Sequence, residues 1–157
     1  AVYDGTIRLP IADRTGTVLS DSELRRRLFH EYTHVVVRHI AGDNVPWWLN
    51  EGLAETFSDE LTSEEVALLQ NAARSNKLFS LADLEEHQLS RLAPEDLQIA
   101  YIQSHATVRH LWTRYGQGSL VRFLSLLAAG TSGEDAIRQI YRRSYPAIDK
   151  EMISQYR

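Results

Sequence analysis

Apolar residues along the 157-residue chain recur mostly at helical spacing. Leu24, Leu28, Phe29, Tyr32, Val35, Val36 and Ile40 repeat every three or four positions, the pattern of a helix with one apolar face, and Ala41-Gly42 supplies a stop. Ser20-Asp21-Ser22-Glu23 has the serine-to-glutamate spacing of a capping box, so the pattern predicts a helix over about 21–40. The run WWLNEGLAETFSDEL predicts a second helix from near Trp47, after Pro46. Thr62-x-x-Glu65 caps a third, to about Ser75, and Ser80-Leu81-Ala82-Asp83 opens a short fourth one. Helical spacing resumes from Asp96 to Tyr115, from Gly118 to Ala129, and from a Thr131-x-x-Glu134 cap to Tyr141. Pro146 suits the first turn of a last helix. Only the front departs from this period. There AVYDGTIRLPI sets apolar residues on both sides of Asp4-Gly5, a pair favoured in two-residue hairpin turns. The expected fold is α+β and predominantly α-helical: one domain over residues 1–157, with a small N-terminal β-hairpin (1–3 and 6–9) and seven to eight helices.

Composition narrows the classes. At 43% hydrophobic and 24% charged residues the chain matches ordinary globular usage, which argues against disorder and fibrous repeats. A net charge of −4 offers no basic field to a phosphate backbone, so no nucleic-acid partner is expected. No run approaches the ~20 apolar residues of a membrane helix. The chain begins at Ala1 and its only methionine is Met152, which reads as a piece of a longer protein and leaves an exported or membrane-anchored parent open. With no cysteine, any metal must be held by histidine and carboxylate.

The candidate chemistry lies in the first long helix, where His30-Glu31-Tyr32-Thr33-His34 forms an HExxH motif. Residues four apart share a helix face, so both imidazoles can address one ion while Glu31 reaches a water beside it. The other reading is two histidines on an ordinary amphipathic helix. A catalytic zinc takes three protein ligands and keeps a fourth position for water. The metzincin pattern is closed as a source of the third, because Val37 and Ile40 stand where it needs glycine and histidine. His39 lies about 140° round the helix from His34 and should face away. Glu51, in Asn50-Glu51-Gly52-Leu53-Ala54-Glu55, is the remaining candidate; its bland alternative is a solvated helix glutamate.

On HEYTHVVV (30–37) and PWWLNEGLAE (46–55), in this order on two successive helices, the chain resembles the gluzincin metallopeptidases, the group that includes thermolysin and the zinc aminopeptidases. The resemblance implies one zinc ion held by His30, His34 and Glu51, Glu31 as the general base, and Glu55 as an acidic residue that orients a ligand histidine. Tyr101, in Ala100-Tyr101-Ile102-Gln103-Ser104, matches the tyrosine that supports the oxyanion, although Gln103 and Ser104 replace the lysine and glycine that often follow. His105, one turn further on, is a candidate substrate contact or an ordinary core histidine. Ala1, Val2 and Tyr3 fall where the superfamily has an edge strand that pairs with the extended substrate. They include no carboxylate to hold a free amine, which favours endopeptidase over aminopeptidase action. Trp47 and Trp48 read as packing residues. The implied activity is zinc-dependent hydrolysis of a peptide or protein substrate. Its rivals are a non-catalytic scaffold or partner-binding module of the same fold, and a helical interaction domain with a chance HExxH.

Overall fold

The computed structural model describes residues 7–13, 15–85 and 92–157. Among them the chain forms seven helices: α1 (Asp21–Ala41), α2 (Trp47–Ser58), α3 (Ser63–Arg74), α4 (Pro94–Tyr115), α5 (Gln117–Ala128), α6 (Gly133–Tyr141) and α7 (Tyr145–Tyr156). Side-chain caps set the starts of four of them. Ser20 accepts the Glu23 N–H before α1, Thr62 and Glu65 form a complete capping box before α3, and Ser144 accepts the Ala147 N–H before α7. Before α6 the cap is Ser132, one residue later than expected, because Thr131 still belongs to the end of α5. Its N–H bonds to the Leu126 carbonyl and that of Gly130 to Leu127, a Schellman closure with Gly130 at φ +86°. The expected fourth helix is only a turn over residues 81–85, held by Ser80 and Asp83; residues 86–91 lie outside the described residues.

The front of the chain corrects the hairpin expectation. Residues 7–10 carry no strand, and 1–6 lie outside the described residues. The β pairing among the described residues is a single bridge, Ala12 to Val18. It closes where the Asp13 carboxylate accepts the N–H groups of Thr15 and Thr17 at 2.8 and 3.0 Å. An aspartate collecting the N–H groups that follow it stabilises a turn, here together with Gly16 at φ +86°.

The core gathers around α2, which packs on α1 and α4. Trp48 and Leu49 are fully buried in one cluster with Ala100, Val108 and Leu111 of α4 and Phe123 and Leu127 of α5. At Gly52 the helices nearly touch: a Cβ there would stand 2.4 Å from the Ser104 carbonyl oxygen and 2.6 Å from Val108 Cγ2. Gln103, 2% exposed, ties the segment after α3 to α4 by donating to the Phe79 carbonyl at 2.7 Å and accepting the Phe79 N–H at 3.0 Å. Gln103→Leu strands both backbone groups, each worth ~1–3 kcal/mol when left unsatisfied, so chemical denaturation is expected to show a stability loss of about 2–4 kcal/mol.

One expectation is inverted. Leu28, Phe29, Tyr32 and Ile40 are exposed, while the inner face of α1 consists of Thr33, Val37 and Ala41 alongside the two motif histidines. Of the seven periodic residues of α1, only Leu24, Val35 and Val36 are half-buried and none is fully buried, so most of the apolar face is turned outward.

Candidate metal and catalytic site

The inner face of α1 meets the first turns of α2, and this contact assembles the site. His30 and His34, one turn apart, place their Nε2 atoms 3.2 Å from each other. Glu51 Oε2 stands 3.7 Å from His30 Nε2 and 3.6 Å from His34 Nε2. Two nitrogens bound ~2.0–2.1 Å from one tetrahedral ion would lie roughly 3.3–3.4 Å apart. These three side chains therefore stand at the spacing of ligands to a single small cation, and their donor atoms all lie within 4.8 Å of one another.

Electrostatics agree with that spacing. Burial, then the neighbouring His34 and Arg26, lower the His30 pKa to about 4, so its imidazole is neutral at physiological pH with a lone pair to give. Burial pushes the Glu51 and Glu55 carboxyls up, each further disfavoured by a neighbouring carboxylate. A divalent cation relieves both effects, and imidazole with carboxylate is a donor set suited to zinc. Glu55, one turn after Glu51, lies 3.4 Å from His30 Nδ1, placed to hold that ring by its other nitrogen. His34 Nδ1 is buried without a hydrogen-bond partner.

A cavity of about 410 Å³ opens beside these residues, and His30, Glu31, Glu55 and Tyr101 all line it. Tyr101 enters from α4, its ring edge-on to Trp47 with centroids 5.0 Å apart. Burial, then Glu51, Glu55 and Glu31, raise its pKa to about 12, so the phenol keeps its proton. Leu9 and Pro10 add an apolar edge to the cavity and Arg26 and Arg27 two guanidinium groups.

The expected site residues thus separate into two sets. His30, Glu31, His34, Glu51, Glu55 and Tyr101 come together. His105 does not: it is 3% exposed, its Nε2 has no partner, and it does not line the cavity. Ala1, Val2 and Tyr3 lie outside the described residues. His39 is exposed at the far end of α1. Sequence reasoning missed the support of Tyr101 by Trp47, for which a tryptophan beside a structural one gives no signal. Trp48, by contrast, is fully buried against Phe123 and Tyr145. The arginines of the cavity wall were also missed, though a run of three at Arg25-Arg26-Arg27 directly before HExxH was visible.

A mostly helical domain with two histidines and a glutamate converging from successive helices defines the metallopeptidase-like, zincin-type class. A family model described as the Peptidase MA superfamily matches residues 19–153, and the chain belongs to that family. No curated protein and no solved structure matches it.

Proposed function

We propose that the domain is a zinc endopeptidase of the gluzincin type, with His30, His34 and Glu51 as the ligands. The observation that carries this reading is the convergence of those three side chains on one point at the edge of a cavity that Glu31 and Tyr101 share. When bound, zinc supplies Lewis acidity, which lowers the pKa of water and polarises a carbonyl. Glu31 takes the proton from the attacking water and returns it to the leaving amine. Tyr101, protonated across the physiological range, donates a hydrogen bond to the oxyanion as it develops. Glu55 fixes the orientation of His30, and Trp47 that of Tyr101. Among the described residues the cavity wall sets two guanidinium groups beside Glu31 and Glu55, which supports internal cleavage over capture of a protonated N-terminus.

Metal titration of the purified domain tests the assignment. Zinc is expected to bind one to one, to raise Tm, and to restore cleavage of a mixed peptide library after chelation; His34→Ala is expected to lose all three. A binding free energy near that of structural sites would make the Tm shift large, since ligand binding to the native state alone stabilises by about 4 kcal/mol at a thousandfold excess over Kd. Zinc binding without cleavage would instead support the non-catalytic scaffold.

A further inference from the structure

The cavity wall holds two cations with more hydrogen-bonding capacity than the described residues use. Arg26 and Arg27 stand one helical turn before His30 and Glu31, so all four side chains share one face of α1. Glu23, another turn earlier, clamps both. Arg26 gives Nε and Nη2 to its two carboxylate oxygens at 3.0 and 3.1 Å, and Arg27 gives Nε to Oε1 at 2.8 Å. The capping box expected at Ser20 is therefore only half made: Ser20 accepts the Glu23 N–H, while the glutamate side chain turns to the arginines. Glu23 is shared between the two guanidinium groups, so the three-residue cluster is itself cationic. Arg26 also lies in the field of Glu55 and Asp59. Among the described residues Arg27 makes no side-chain hydrogen bond beyond its Nε contact and its terminal nitrogens take no partner, and its side chain is only 33% exposed. A held, half-desolvated guanidinium with a free fork of N–H groups matches a carboxylate in geometry and charge.

We infer that Arg27, positioned by Glu23 and backed by Arg26, is the subsite for a carboxylate of the substrate beside the scissile bond. This rests on the reading of the cavity as a peptide cleft. The carboxylate belongs either to an acidic side chain or to the peptide's C-terminus, and both offer the same planar pair of oxygens. Arg27 thus favours substrates with glutamate or aspartate next to the cleaved bond and disfavours lysine or arginine there, discrimination by attraction and by repulsion together.

The test uses zinc-loaded protein and matched peptides that differ only by Glu, Gln or Lys at one position flanking the cleaved bond, all amidated at the C-terminus. A fourth peptide carries Gln with a free C-terminus. The expected kcat/KM ratio of the Glu to the Gln peptide is about tenfold, the scale of one partly screened charge-assisted hydrogen bond. In Arg27→Gln that ratio falls to about one, and in Arg27→Glu the Lys peptide becomes the preferred one. Glu23→Gln, which removes the competing carboxylate, raises the ratio. Because each figure is a ratio within one protein, loss of folded material cannot produce it. Preference for the free C-terminus over the internal Glu assigns the carboxylate to the chain end. Binding of the same peptides to Glu31→Gln, followed by fluorescence anisotropy, repeats the comparison without turnover. Equal binding and equal cleavage of the Glu and Gln peptides, or a preference that survives Arg27→Gln, overturns the inference. Absence of cleavage with the binding preference intact overturns the peptidase reading and leaves the carboxylate subsite standing.

Discussion

Glu31→Gln is expected to lower kcat/KM for peptide hydrolysis by about 10²–10⁴-fold, the usual contribution of a general base, with one zinc still bound per domain. The two halves of this outcome come from different atoms. Zinc retention follows because the cluster of His30, His34 and Glu51 does not include Glu31. Loss of turnover follows because Glu31 is the glutamate of the HExxH turn that lines the cavity beside His30, and glutamine keeps its shape without its basicity. Glu55, the other glutamate on that wall, is committed to His30 Nδ1 at 3.4 Å and is not free to replace it. Metal analysis and steady-state kinetics on the same preparation check both halves. Turnover at the native rate would remove Glu31 from the mechanism.

The second large effect is expected at a residue with no chemistry. In an exposed helix, glycine to alanine stabilises by ~1 kcal/mol through backbone propensity. At Gly52 the sign reverses. The added methyl would meet the Ser104 carbonyl oxygen at 2.4 Å, its carbon at 2.8 Å and Val108 Cγ2 at 2.6 Å, and two of those three are backbone atoms that cannot swing aside. The helices must part by about 1 Å, and forcing extra volume into a packed contact costs roughly 1–3 kcal/mol or more. For a domain of this size that lowers Tm by roughly 2–12 °C. Glu51 is the neighbour of Gly52 on α2 and Tyr101 precedes Ser104 by one turn on α4, so the same displacement separates ligand from phenol. A misplacement near 1 Å costs about a hundredfold in rate. Thermal melting with a zinc titration tests both, and a Gly52→Ala protein that melts and binds zinc like the native one would overturn the prediction.

Much of this architecture was legible from residue types alone because the relevant signals are local. Caps at Ser20 and Thr62 start helices wherever they fall, and two histidines at i and i+4 meet on any helix. Glu51 and Glu55 were readable for the same reason, once a second helix was placed after Pro46. What escaped depends on the partner rather than on the sequence. Periodicity identifies that Leu28, Phe29, Tyr32 and Ile40 share a face, but says nothing of which way that face turns. In α1 the small residues Thr33, Val37 and Ala41 face inward, letting α2 approach with its carboxylate. Gln103 occupies a position where the resemblance expects lysine, and its use as a tether to Phe79 spans 24 residues that no local pattern connects. His105 shares a helix with Tyr101, yet burial removes it from the cavity. The hairpin expectation rested on one favoured dipeptide, Asp4-Gly5, which lies outside the described residues; the β pairing among those residues is the bridge beside Asp13.

The inversion of α1 has a consequence for how its substitutions act. The helix answers to two constraints at once, half a turn out of phase. Changes at His30, Thr33, His34 and Val37 fall on the inner face that packs against α2 and carries the candidate site, while changes at Leu28, Phe29, Tyr32 and Ile40 fall on the exposed face. A variant can therefore be silent in one respect and severe in the other within a single residue step, and the helix period, not distance along the chain, decides which.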